Sequence, residues 1–434
     1  MKVCIISPPF PFSGRVPMVP PILEYLGALT LHAMPDIDLQ LIDANVHEPR
    51  PEDIEADLIA ISSMTATITW SYTFSDELRK LNKKVVLGGI HPTALPNEAK
   101  LHADSVVVGE AESVWADVLT DAFHGTLHDF YNAQRLPLDN NPFPLTGLLK
   151  KPYKFRTVFT ARRCPYKCTF CSVRKFYGDT IRYRPIENVV EEVEHHTGKV
   201  YFNGDDNIWG GDLNRSIELF SRLSHGSKRW WYGFGDLHAP QSPLGDKLLK
   251  AASESGLFSV WAGWETSSTE GLSKYHALSK QGKHREDAVK KIKDYGIDVT
   301  LFVVLGSRSD TAADFEKVID LADRLEVGIH PVLLTPLPGT ELYEEYKPYL
   351  LPDRGWEYYT GAHAVFHHPT MSPKEREERF YKTSLELLST KRVLKHTMDI
   401  PLSGFPMTHL LSFMKQIPMK RAMHKAYQEW MCNL

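Results

Sequence analysis

Cysteine is scarce in this chain. Only five occur in 434 residues, and three of them share one short segment, so a disulfide scaffold is not expected. Basic charge is not in excess: 50 Lys and Arg stand against 54 Asp and Glu, a formal net charge of -4. Such a chain has little surplus charge to neutralise phosphates, which argues against nucleic acid as a partner. No apolar stretch approaches the roughly 20 residues of a membrane-spanning helix. No signal-peptide pattern is visible: Met1-Lys-Val-Cys-Ile-Ile-Ser7 reads as a strand stopped by Pro8-Pro9. Phosphate-loop and G-x-G-x-x-G motifs are missing, as are internal repeats and low-complexity segments. What remains is an ordinary globular composition, 42% apolar and 24% charged, at a length that suits two or three domains. Reduced, clustered thiols suit a cytoplasmic location.

The pattern along the chain predicts an α/β protein. In residues 1–125, short apolar strands alternate with helical segments. Strands are expected at 2–7, 38–43, 57–62, 84–88 and 105–108, with helices at 21–33 and about 67–81. That alternation implies a doubly wound parallel sheet of Rossmann-like type, whose ligands bind beyond the carboxyl ends of the strands. Residues 126–154 read as a linker, because Leu136-Pro-Leu-Asp-Asn-Asn-Pro-Phe-Pro-Leu145 is rich in Pro and Asn and lacks periodicity. From residue 155 to 346 the alternation restarts with six strands, at 157–161, 199–203, 230–235, 258–265, 298–305 and 329–334. Six such units fall short of the eight of a closed barrel. Residues 347–434 form a helical extension, with a Met-, His- and aromatic-rich tail. The stripe Met407–Met423 is a core face or, alternatively, a helix resting on a membrane surface.

Directly after the apolar run at 157–161 comes Arg163-Cys-Pro-Tyr-Lys-Cys-Thr-Phe-Cys171. Cys164, Cys168 and Cys171 place three soft thiolate ligands on one tight loop. Three is one short for either an iron–sulfur cluster or zinc. A structural zinc site would need His195 or His196 as a distant fourth ligand, and no second paired half is present.

This spacing resembles the radical S-adenosylmethionine (radical SAM) superfamily. The resemblance implies a partial (β/α)6 barrel and a 4Fe-4S cluster held by Cys164, Cys168 and Cys171. It also implies an open iron that chelates S-adenosylmethionine, and reductive cleavage of that molecule to a 5′-deoxyadenosyl radical. Phe170 matches the aromatic position beside the adenine. At the second strand end, Asn203, Asp205 and Asp206 would meet the cofactor's amino group, although the acids could equally cap a helix. Glu265, in Gly263-Trp-Glu-Thr266, resembles the family's Gly-x-Glu-Ser segment. A carboxylate ending an apolar strand needs a polar partner. Arg308 could grip a carboxylate or be a surface arginine. Thr335 opens a rigid Pro-Gly turn that resembles a recurrent family segment.

The preceding sheet, with its S-x-M-T, G-G-x-H-x-T and G-E-x-E segments, resembles the cobalamin-binding-domain subgroup of class B C-methyltransferases and an anaerobic ring cyclase. Its strand-end residues Pro8, Ser63, Thr65, Gly88, Gly89, His91, Gly109 and Glu110 would face cobalamin. The D-x-H-x-x-G motif is missing, so His91 reads as a bonded loop histidine rather than a cobalt ligand. The resemblance implies a cobalamin-dependent C-methyltransferase acting on an unactivated carbon, and the aromatic strand Trp230-Trp231-Tyr232-Gly-Phe234 and the apolar tail hint at a large, poorly polar substrate. Two alternatives stand beside it. One is a cyclase, oxidase or carbon–carbon coupling enzyme that makes no use of cobalamin. The other is a non-catalytic iron–sulfur or zinc protein. The expected partners are a small-molecule substrate such as a lipid or tetrapyrrole, an electron donor of flavodoxin or ferredoxin type, and a peripheral membrane contact.

Overall fold

The computed structural model describes residues 1–11, 18–149, 153, 155–266, 269–277, 284–398 and 406–432. The first sheet comprises β1 (Lys2–Ser7), β2 (Asp38–Asp43), β3 (Leu58–Ser62), β4 (Lys84–Gly88), β5 (Ser105–Val108) and β6 (Phe130–Asn132). Its order is β2-β1-β3-β4-β5-β6, and every pairing is parallel. The switch point therefore lies between β1 and β3, where doubly wound sheets open a ligand crevice. Helices pack on both faces, which explains why β1 is apolar at consecutive positions rather than alternate ones. Cys4 and Ile6 join one core layer, Val3 and Ile5 the other. Cys4 is fully buried, and burial pushes its thiol up to about 12, so it serves as a small core residue.

The sixth strand falls inside the stretch that reads as linker. Phe130–Asn132 is too short to show a period, and only pairing with β5 extends it.

The second sheet runs β14-β13-β12-β11-β10-β7, all parallel and in sequential order. It comprises β7 (Arg156–Val158), β10 (Val200–Asn203), β11 (Trp230–Gly235), β12 (Leu257–Glu265), β13 (Asp298–Leu305) and β14 (Gly328–Leu333). Among the described residues β7 and β14 do not pair, so this is an open, six-unit barrel. The first expected strand is split. After β7 the chain leaves the sheet and forms β8 (Ala161–Arg162), which pairs antiparallel with β9 (Arg182–Tyr183) and encloses the cysteine loop.

Helices Pro373–Leu387, Thr390–Met398 and Pro406–Cys432 complete the chain. Trp430 and Tyr427 of the last helix pack into the barrel core, and the Trp430 indole donates to Glu377 at 2.8 Å. That half of the tail is core-facing, whereas the side chains at 407–410 and 412–415 lie outside the described residues. Among the described residues no helix is long and apolar enough to cross a membrane.

Gly88 and Gly89 end β4 but differ in need. Gly89 sits at φ 102°, and a Cβ there would lie 2.6 Å from the Ser63 carbonyl oxygen. A Cβ on Gly88 would meet nothing closer than 3.7 Å. Gly89→Ala is therefore expected to destabilise the fold by about 1–3 kcal/mol, with Gly88→Ala close to neutral. Chemical denaturation of the two variants checks this, and equal stabilities would contradict it.

Candidate functional site

The three cysteines lie on the loop after β8, all half-buried. The loop is held from several sides. Arg163 sits at φ 84°, a strained position for a side chain-bearing residue. Its amide donates to Asp206 at 3.0 Å, and its guanidinium donates to the carbonyls of Gly178 (2.9 Å) and Cys164 (2.7 Å). Asn207 donates to Asp236 at 2.7 Å and lies 3.9 Å from the Cys164 sulfur. Asp236 in turn accepts from the amides of His238 and Ala239. The Tyr166 phenol lies among these groups; burial, and then the negative charges of Asp236 and the nearby thiols, drive its pKa upward. Among the described residues no three or more His, Cys, Asp or Glu side chains crowd closely enough to cage a single ion. Tetrahedral zinc, with Zn–S near 2.3 Å, would require such crowding. An open set of three thiols suits a cluster that brings its own sulfides.

The adjacent acids Asp205 and Asp206 have separate surroundings. Asp205 is buried and accepts from the Thr160 amide (2.6 Å), the Thr160 hydroxyl (2.5 Å) and the Ala161 amide (3.0 Å). It latches the β7–β8 junction that aims the cysteine loop. The Asn203 side chain accepts from the Asp205 amide at 2.9 Å, closing that turn. Asp206 instead lines the large cavity described below, and burial pushes its carboxyl up to about 7.

Of the remaining expected residues, Glu265, Arg308 and Thr335 sit at or just after barrel strand ends, and Phe170 lies on the cysteine loop. Glu265 is buried at φ 64°, where the β12–β13 register shifts. Phe170 meets Tyr275 edge-on at 6.0 Å. Arg308 stacks over Tyr349 at 3.5 Å and donates to the His367 carbonyl at 2.7 Å. The Thr335 hydroxyl donates to the Leu333 carbonyl at 3.1 Å.

A cavity of about 610 Å³ lies between the two sheets, within the usual range of roughly 300–1,000 Å³ for cofactor pockets. Its mouth is formed by the carboxyl ends of four strands, through Ser7 and Pro8, Ser62 and Ser63, Gly88 and Gly89, and Gly109 and Glu110. Phe159, Arg162, Val173, Tyr177 and Asp206 close it from the barrel side. An arm lined by Leu26, Ala60, Val86, Val107 and Trp115 runs beneath the sheet. Of the eight strand-end residues expected to face a corrinoid, Pro8, Ser63, Gly88, Gly89, Gly109 and Glu110 line this space. Thr65 and His91 do not. The fully buried His91 bonds Thr65 Oγ1 at 3.3 Å and Glu98 at 3.2 Å, behind the cavity wall.

Of the residues that join the two halves, sequence reading marks Glu110 but not Arg162, Arg182 or Arg156. Arg162 pairs with Glu110 and, at 2.5 Å, with Glu112; Arg182 also pairs with Glu110. The Tyr25 hydroxyl donates to Glu112 at 2.8 Å. Burial works to raise the Glu112 carboxyl, but the Arg162 guanidinium together with hydrogen bonds from a backbone amide and Tyr25 holds the group below its ordinary value. Arg156 pairs with Glu24 across the same boundary. The one sequence signal for Arg162 was its position, two residues before Cys164.

Comparison with known proteins agrees with this geometry. A B12-binding domain model matches residues 19–119, and a radical SAM superfamily model matches residues 158–322. The chain is 28% identical over 386 residues to the bacteriochlorophyllide d C-12(1)-methyltransferase of Chlorobaculum tepidum, covering 84% of this chain and 82% of that protein. It is 26% identical to the bacteriochlorophyllide d C-8(2)-methyltransferase of the same organism, covering 90% and 91%. The solved structure of the radical SAM methyltransferase TsrM from Kitasatospora setae superposes with a TM-score of 0.66. That match has 14% identity and covers 95% of this chain and 96% of that one, a likeness of fold. The two matched models thus give the chain a 4Fe-4S cluster, S-adenosylmethionine and cobalamin as cofactors.

Burial pushes the Asp205 carboxyl up to about 6, against the hydrogen bonds from Thr160 and Ala161 that lower it. Because the folded value is raised, stability from this group is fully present below pH 4 and is lost as pH rises through about 6. Asp205→Asn should flatten that part of the stability profile. Asp205→Ala, which orphans three donors, should cost on the order of 2–3 kcal/mol. Denaturation of the apoprotein between pH 4 and 8 measures both; an unchanged slope in Asp205→Asn would contradict the assignment.

Proposed function

We propose that this chain, which belongs to the radical SAM superfamily and carries a B12-binding domain ahead of its barrel, methylates an unactivated carbon of a large, poorly polar small molecule. The observation that supports this most is the shared cavity: the strand ends of the first sheet and the hairpin that carries the cysteine loop wall one space. When bound, the cluster supplies the electron that cleaves S-adenosylmethionine to a hydrogen-abstracting radical, and cobalamin supplies the methyl group.

The chain's own residues hold, orient and shield. Cys164, Cys168 and Cys171 are the proposed cluster ligands. Phe170, Asp206 and Glu265 are the residues we propose to meet S-adenosylmethionine. Asn203, Asp205, Arg308 and Thr335 are bonded within the protein and would act by shaping the barrel mouth. Asp206, raised toward neutrality by burial, can hold or release a proton at its carboxylate near pH 7. Arg162 fills the boundary between cavity and loop, keeping bulk water from the reacting groups. Bacteriochlorophyllide, in the names of the two curated relatives, is a tetrapyrrole, and a tetrapyrrole is the substrate class we propose. A flavodoxin or ferredoxin would deliver the electron.

Anaerobic reconstitution tests the reading. The expected protein carries cobalamin and releases 5′-deoxyadenosine from S-adenosylmethionine under reduction. Release without bound cobalamin would remove methyl transfer from the account. Cys168→Ala should lose both the cluster absorbance and the product; retained cleavage would refute the ligand assignment.

A further inference from the structure

The barrel sheet has two unlike faces. Toward the helices, Tyr201 and Trp231 are 2% and 1% exposed and belong to the main core. The opposite, concave face carries Phe202, Tyr232, Phe234, Trp261, Phe302 and His330 on five adjacent strands. Register sets Phe202 beside Tyr232, Phe234 beside Trp261, and Phe302 beside His330. The rings form one continuous wall, with centroids 5.1 Å apart for Phe202 and Tyr232, 5.1 Å for Tyr232 and Trp261, 5.3 Å for Trp261 and Phe234, 5.3 Å for Phe234 and Phe302, and 4.8 Å for Phe302 and His330. Each of the six keeps accessible surface, unlike the rings on the helix side. Five strands at about 4.8 Å spacing span roughly 19 Å, room for a broad flat ligand.

His330 ends this wall. Among the described residues its imidazole meets the Phe302 ring and no hydrogen-bonding group. Its nitrogens are not among the sealed, orphaned polar atoms, so they keep some accessible surface. Burial pushes the group down to about 4, so at neutral pH it is an uncharged imidazole with a free lone pair. An aromatic wall recognises a flat π system by stacking. A neutral imidazole is a metal ligand. A saturated isoprenoid would use neither property; a metallated conjugated macrocycle uses both.

We infer that the concave face binds a flat macrocycle carrying a metal ion, with His330 as the axial ligand of that metal. The inference deepens the substrate class proposed above and rests on that reading. A central ion fixed by His330 sets the height of the macrocycle in the barrel, and so which peripheral carbon lies under the cluster loop.

The test uses the reconstituted, cobalamin-loaded enzyme with zinc protoporphyrin IX and metal-free protoporphyrin IX as probes. The wild type should bind the zinc form at least about tenfold more tightly and shift its Soret band in the manner of an imidazole-ligated metal. His330→Ala and the ring-conserving His330→Phe should lose the shift and the preference. Both should keep cobalamin and the 5′-deoxyadenosine formed without substrate, which shows an intact fold. A wild type without preference or shift, or variants that keep them, would overturn the inference. So would binding of an isoprenoid alcohol in place of either porphyrin. A wild type that binds no cobalamin and releases no 5′-deoxyadenosine would instead overturn the reading beneath it.

Discussion

The arrangement depends on a clasp of buried charge. Arg162 stands two residues before the first cysteine of the loop, and its guanidinium is held by Glu110 and Glu112 at the end of β5. Arg182, across the β8–β9 hairpin, grips Glu110 as well. Taking these charges from water is costly, and the cost is offset only while every partner is in place. Removing one partner of such a pair typically costs about 3–5 kcal/mol, because the other charge is left buried and uncompensated. The clasp is therefore weak evidence for extra stability and strong evidence for fixed geometry. It ties the sheet whose strand ends line the cavity to the hairpin that carries the cysteine loop.

Around that tie the chemistry is layered. The strand ends of the first sheet shape one wall of the cavity, with Gly89 at φ 102° letting the backbone pass close to Ser63. Arg162 and Val173, which flank the cysteine loop, close the opposite wall, and the loop is aimed by the Asp205 latch and by the strained backbone at Arg163. Strain occurs at Arg163, just after β8, and at Glu265, at the carboxyl end of β12, the side where barrel enzymes place reactive groups. Below them lies the aromatic concave face. The fold thus sets the cavity, the cysteine loop and the aromatic face of the barrel in one chain of contacts.

Much of this was legible in the sequence, for reasons that differ by element. Strands such as Lys2–Ser7, Trp230–Gly235 and Asp298–Leu305 are buried on at least one face and bounded by turn residues, so local pattern marks them. The cysteine spacing is a local signal too. Phe130–Asn132 was hidden because three residues carry no period and pairing alone makes them a strand. Asp205 and Asp206 are neighbours in sequence, yet only tertiary contact with Thr160 tells the latch from the cavity-facing acid. Thr65 and His91 share motifs with cavity residues but turn behind the wall toward each other. Arg162 went unmarked because its partners lie some fifty residues earlier and belong to the other domain.

The central claim is that the clasp holds the corrinoid and the cluster in one fixed relation. Pulsed electron paramagnetic resonance on reduced holoenzyme, with cobalt as Co(II) and the cluster paramagnetic, reads that relation directly. The account predicts one resolved dipolar coupling in the wild type, broadened or lost when Glu110 and Glu112 are both replaced by Gln. A broad distribution in the wild type, or an unchanged coupling in the variant, would contradict it.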